Sequence, residues 1–334
     1  MPRRFAILLA AALTIAAAPP VTITEAERAV LDRISTKSLK ENLSFIASDR
    51  LEGRATPSHG LDMAADFIAE QFRRAGLEPA GHNGYFQKGL AKNVVGLLRG
   101  SDPQLRDTCV VLSAHYDHLG VHGDRIYNGA NDDGSGTVSV IEIASALAEM
   151  NPRPKRSVVF VTFYGEELGE LGSQYFVRHP VCAPTVADLN LEQLGRTDSS
   201  EGPRAGSATL TGFDFTDIAQ VIEEAGEATG IRIYNDPKRG DFYFRQSDNA
   251  SFADRGIPST TLAVTFMFPD YHQPGDRESK IDYGNMAKVD RAVALGLMLL
   301  ANAAEAPHWN TANPKTKHYV RASAHHASPA VPAK

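Results

Sequence analysis

Apolar positions along the chain alternate between two periods. Over residues 25–34 and 37–47 they recur at i, i+3 and i+4, which predicts two short helices. A loop of Gly, Pro and polar residues, 51–60, leads into a strongly amphipathic stretch, 61–75, that Gly76 closes. Apolar, β-branched runs then predict buried strands over 93–98, 108–114, 158–163, 188–191, 208–211 and 259–264. Helical patterns fall between or after them over 136–150, 172–178, 215–227 and 291–305, the first ended by Pro152 and Pro154. Strands alternating with helices predict an α/β fold, a three-layer α/β/α arrangement around a mostly parallel mixed sheet. From Pro307 the periodicity fails, and the Ala/Ser/Pro/His-rich end of the chain predicts a disordered tail over 307–334.

The first 20 residues stand apart from this pattern. Met1-Pro-Arg-Arg4 is basic, residues 5–18 are an apolar run, and Ala16-Ala17-Ala18 precedes Pro19-Pro20. That order predicts a cleaved secretory signal over 1–20, and so export to the periplasm or the medium. The run is too short to span a bilayer comfortably, and no membrane association is expected after cleavage. The rest divides into a helical segment, 21–50, a catalytic domain, 51–306, and the tail. A net charge of -6 among 334 residues gives no reason to expect nucleic-acid binding. Cys109 and Cys182 could pair in an oxidising compartment, but Cys109 sits in an apolar run, so a buried free thiol is the plainer reading.

Five clusters follow apolar runs directly, where the ends of parallel strands gather active-site residues. In His115-Tyr-Asp117 a histidine emerges from a strand, and a carboxylate two residues on can hold its second ring nitrogen. Asn131-Asp132-Asp133 is a Gly-flanked turn opening a helix. Asp132 is the candidate bridge between two cations, and Asp133 a turn former or cap. Of the adjacent pair Glu166-Glu167, one carboxylate can ligate a metal while the other takes a proton from a water; Glu166 is assigned as base and Glu167 as ligand. Glu192 ends a strand, and His272 offers a second imidazole from a Pro-bounded loop. Together they supply the ligands for two divalent metals that share a carboxylate.

These clusters, in this order, resemble the secreted bacterial leucyl-type aminopeptidases of the co-catalytic di-zinc type, in a superfamily shared with glutaminyl cyclases and glutamate carboxypeptidases. The resemblance covers roughly residues 42–301 and includes Leu51-Glu-Gly-Arg54, Ser247-Asp248 and Gly256-Ile257-Pro258. It implies a zinc-exopeptidase-like fold and two Zn2+ per chain, one held by His115, Asp132 and Glu192, the other by Asp132, Glu167 and His272. It implies Glu166 as general base, Asp117 as the carboxylate behind His115, and supporting places for Asp248 and Tyr271. The family pattern has Asp where this chain has Glu192. The implied activity is removal of N-terminal residues from peptides with a free N-terminus, by a hydroxide bridging the metals. Glutaminyl cyclisation with one zinc, or carboxypeptidase action, is the alternative on the same scaffold. Phe242, Tyr243, Phe244, Phe266 and Phe268 are candidates for an apolar side-chain pocket.

Overall fold

A computed structural model describes residues 21–199 and 202–326. The signal-like segment and the end of the tail lie outside them. The sheet strands are β1 (Glu78–Pro79), β2 (Phe86–Lys88), β3 (Lys92–Leu98), β4 (Cys109–His115), β5 (Ser157–Phe163), β6 (Thr185–Glu192), β7 (Ser207–Leu210), β8 (Arg232–Tyr234) and β9 (Ser259–Ala263). Their order is β1-β3-β5-β4-β6-β9-β7-β8, with β2 also on β3. The central β5-β4-β6-β9 set is parallel, while β3 and β7 join it antiparallel. The sheet is the mixed, mostly parallel one that the pattern of the sequence predicts.

Alternation along the strands explains the two covered faces. Val110, Leu112 and Ala114 of β4, with Val158 and Phe160 of β5, join one large apolar core. The helices Glu25–Arg33, Thr36–Ile46, His59–Arg74, Gly136–Ala148, Ile218–Thr229 and Tyr283–Asn302 contribute to that core. Cys109, Val111, Val159, Val161 and Phe163 point the other way, against Phe176 and Phe252 of the helices Leu171–Arg178 and Asn249–Ala253. The first helix starts at a capping box, in which Thr24 and Glu27 satisfy each other's backbone N–H groups.

Three expectations need correction. Cys109 and Cys182 form a disulfide rather than standing as free thiols. The parallel pairing of β4 with β6 sets Cys109 opposite Thr185, three residues beyond Cys182, a proximity that no spacing in the sequence reveals. The tail is also ordered further than its composition suggests, with a helix over Lys317–His326. Trp309 and Tyr319 stack at 4.7 Å and pack with Phe215 and Phe244, and Trp309 Nε1 donates to the Gly256 carbonyl at 2.9 Å. Two aromatics outweigh the polar residues around them. The closing helix begins at Tyr283, well before the predicted 291, with Asp282 as its N-cap.

One buried side chain ties the N-terminal segment to the sheet. Arg54 is wholly buried, and its guanidinium donates to the carbonyls of Ile46 (2.5 Å), Tyr116 (2.7 Å), Asn128 (2.6 Å) and Gly129 (2.9 Å). Gly53 before it has φ +68, and a Cβ there would lie 2.3 Å from the Tyr127 carbonyl, so only glycine fits. Burial lowers the Arg54 pKa to about 10, against the pull of Asp117, Asp276, Asp133 and Asp132. Arg54→Met leaves these carbonyls unpaired and those carboxylates without a nearby cation. It is expected to cost roughly 3–5 kcal/mol in urea denaturation; a loss under ~1 kcal/mol would show that the network is dispensable.

Candidate metal centre

The parallel strands β4, β5, β6 and β9 end along one side of the sheet. His115, the last residue of β4, pairs in register with Phe163, the last of β5, and Glu192 closes β6 opposite Ala263 of β9. Loops after β5 and β9 carry Glu166, Glu167 and His272 to the same edge. Asp132 comes from the turn that precedes the helix Gly136–Ala148.

Asp132 stands at the centre. Its Oδ1 is 3.5 Å from His115 Nε2, and its Oδ2 is 3.1 Å from His272 Nε2. The same His272 nitrogen is 3.4 Å from Glu167 Oε2. His115, Asp132 and Glu192 each place one donor atom within 4.8 Å of the others, and so do His118, Asp132 and Glu167. His115 Nδ1 turns back towards Asp117, 3.2 Å from its carbonyl and 3.6 Å from its carboxylate. Asp117 accepts from the Thr56 hydroxyl and from the Glu166 backbone N–H, both at 3.2 Å. Glu166 Oε2 stands 3.9 Å from His115 Nε2. All seven residues singled out in the sequence meet at this edge.

The donor set suits divalent cations. His115 Nε2 and Asp132 Oδ2 are buried without a hydrogen-bond partner, an expensive arrangement unless a cation meets them. Imidazole and carboxylate together are zinc-type ligands. Asp132 offers one oxygen to each half, as a bridging carboxylate must.

Among the supporting residues, Asp276 and Asn131 had no role assigned from the sequence, whereas Asp133 was read as a turn former or cap and Asp248 was given a supporting place. The Asp276 carboxylate accepts from the backbone N–H groups of Asn131 (2.9 Å) and Asp132 (3.0 Å), which fixes the turn carrying Asp132. Asp133 accepts from Gly136 N–H (3.0 Å) and Gln193 N–H (3.1 Å), capping the helix and tying it to the residue after Glu192. Asn131 Oδ1 accepts from Gly195 N–H at 2.7 Å. Asp248 is wholly buried behind the site, and desolvation pushes its pKa up to about 8. A small cleft opens beside Glu192, lined among others by Thr211, Tyr243, Gln246, Phe266 and Tyr271. Of the five candidate aromatics, only Tyr243 and Phe266 reach it, stacked at 4.6 Å. Phe244 lies in the Trp309 cluster, Phe268 packs against Tyr271 and under Arg196, and Phe242 is exposed on the surface.

The match to known proteins agrees with this geometry. The family model described as "Peptidase family M28" matches residues 93–297, which include His115, Asp132, Glu166, Glu167, Glu192 and His272. The chain belongs to Peptidase family M28. Among curated members, a "Probable zinc metalloprotease" of Pyricularia oryzae is 27% identical over 339 aligned residues, covering 83% of this chain and 64% of its own length. The chain thus spans under two thirds of that relative. Among solved structures, the Legionella pneumophila LapA aminopeptidase superposes with a TM-score of 0.69 at 21% identity, over 87% of this chain and 79% of LapA. Porphyromonas gingivalis glutaminyl cyclase superposes at 0.59 and 19% identity, over 79% and 97%. Both likenesses concern the fold.

The charges of this M28 site predict an unusual pH response. Burial raises the Glu192 pKa to about 7. Although burial opposes it, Asp132 and Glu167 raise that of His272 to about 10. Both groups therefore hold protons more tightly folded than unfolded, and their contribution to stability is lost as pH rises through those values. Asp132 is held low by His115 and His272 despite its burial, so it stays ionised in both states above pH 5 and adds no slope there. The metal-free chain should lose stability between pH 5 and 9, more through the buried Glu192 than through the partly exposed His272, whose share solvent screens. Zinc should abolish that loss, because its ligands must be deprotonated. Denaturant melts across that range with and without chelator check this; a flat metal-free profile would contradict it.

Proposed function

We infer that the chain is an exported aminopeptidase with two zinc ions, cutting the first peptide bond of chains with a free amino terminus. The carrying observation is Asp132, one carboxylate with a histidine against each oxygen, flanked by Glu192 on one side and Glu167 on the other. His115, Asp132 and Glu192 would hold one zinc, and Asp132, Glu167 and His272 the second. When bound, zinc supplies Lewis acidity, which polarises a scissile carbonyl and lowers a water's pKa from 15.7 towards ~7.

The chain's own groups do the rest. Glu166 stands beside His115 but outside the sets of residues assigned to the ions, so its carboxylate is free to take a proton from the attacking water and return it to the leaving amine. Desolvation and the neighbouring Glu192, Asp248 and Glu167 push its pKa well above the usual carboxylate range, which suits a group that must both accept and release a proton. Asp117 holds His115 by its Nδ1 side. Glu166 and Glu192 present negative charge to a substrate ammonium, which an internal peptide bond does not offer. The cleft between Tyr243, Phe266 and Tyr271 receives the first side chain. The export reading rests on the basic start and apolar run of residues 1–20.

Hydrolysis of aminoacyl-p-nitroanilides by the purified mature chain tests this reading. Cleavage should vanish with chelator, return with zinc, and be absent for the N-acetylated substrates. Glu166→Gln should lower kcat by ~10²–10⁴-fold with zinc content intact. Cyclisation of N-terminal glutamine without peptidase activity would replace the aminopeptidase reading with the cyclase one.

A further inference from the structure

His118 is buried beside the metal-ligand residues and places a nitrogen within 4.8 Å of donor atoms of Asp132 and Glu167, yet it stands in neither set of three assigned to the ions above. Its position is built rather than incidental. The backbone N–H of His118 donates to the Arg54 carbonyl at 3.2 Å. Gly129, in the left-handed region at φ +54, leaves room for the ring, since a Cβ there would fall 2.4 Å from His118 Cγ. The ring lies edge-on to His272, 5.7 Å between centroids and 72° between planes. Both of its nitrogens are buried, and Nε2 has no hydrogen-bond partner.

Distances separate its role from that of the ligands. Two N or O ligands at 2.0–2.2 Å on one tetrahedral ion lie roughly 3.3–3.6 Å apart. The pairs His115–Asp132 (3.5 Å), His272–Asp132 (3.1 Å) and His272–Glu167 (3.4 Å) lie near that spacing. His118 Nδ1 is instead 2.8 Å from Glu167 Oε1, a direct nitrogen-to-oxygen contact with no room for an ion between. His272 meets the other oxygen, Oε2. The geometry points to His118 as a positioning residue that holds the outer oxygen of Glu167, so that the inner oxygen alone is turned to the second metal. The inference rests on the two-zinc reading of the site. Its ring replaces a bidentate freedom of Glu167 with one fixed orientation.

The test is stepwise zinc binding by chelator competition, with cobalt substitution as a spectroscopic readout, on the wild type, His118→Leu and His118→Asn. Asparagine can set an amide N–H where Nδ1 stands, and leucine fills the volume without a donor. Leucine should weaken the second ion by ~10–100-fold, leave the first unchanged, and keep the wild-type cobalt spectrum at saturation. Asparagine should restore affinity to near the wild-type value. Thermal melts of the metal-free variants identify any that fail to fold, and His118→Phe, which keeps a ring without a donor, takes the place of a misfolded leucine variant with the same expected loss. Wild-type affinity in the leucine variant would reduce His118 to packing and overturn the inference. A changed cobalt spectrum at saturation, unrescued by asparagine, would make the ring a direct ligand and overturn it equally. A wild type that binds no second ion would instead sink the two-zinc reading itself.

Discussion

Negative charge packed where water is scarce is the constraint around which this molecule is arranged. Asp132, Glu166, Glu167 and Glu192 crowd one edge of the sheet, with Asp117, Asp133 and Asp248 behind them. An ionised carboxylate that loses its hydration costs several kcal/mol unless something positive or hydrogen-donating meets it. Burial accordingly drives the pKa values of Glu166, Glu192 and Asp248 upward, while two histidines hold Asp132 down. Divalent cations answer that demand directly. A buried arginine beneath the site, Arg54, answers part of it from the protein side.

The scaffold makes the crowding possible because parallel strands deliver their carboxyl ends to one place. The loops that follow are then held by hydrogen bonds and ion pairs rather than left to drift. Asp276 fixes the turn of Asp132, and Asp133 ties that turn to the end of β6. Arg196 and Lys280 converge on Asp270 at 3.0 and 2.8 Å, which secures the loop where His272 sits in the left-handed region at φ +53. The loops that carry the ligand residues are thus ordered by the chain's own contacts.

The strands and most helices were legible because burial on both faces leaves unbroken apolar runs, and each run points to the cluster that follows it. The histidines and carboxylates of the site could be picked out for the same reason. Contacts between distant segments could not. Asp276 looks like any loop aspartate after Pro274-Gly275, and only the folded chain shows its carboxylate under Asn131 and Asp132. Cys109 and Cys182 meet through the register of β4 with β6, which periodicity does not encode. The aromatic pair Trp309 and Tyr319 holds the tail against Phe244 although the local composition is that of a disordered segment. His118 was visible beside Asp117, but its link to Glu167 depends on the direction of its ring.

Anomalous diffraction at the zinc edge, from zinc-soaked crystals of the mature chain, tests the central claim most directly. Two peaks are predicted, one among His115, Asp132 and Glu192 and one among Asp132, Glu167 and His272, with Asp132 contacting both. A single peak, or peaks that leave Asp132 outside the coordination, would contradict the account.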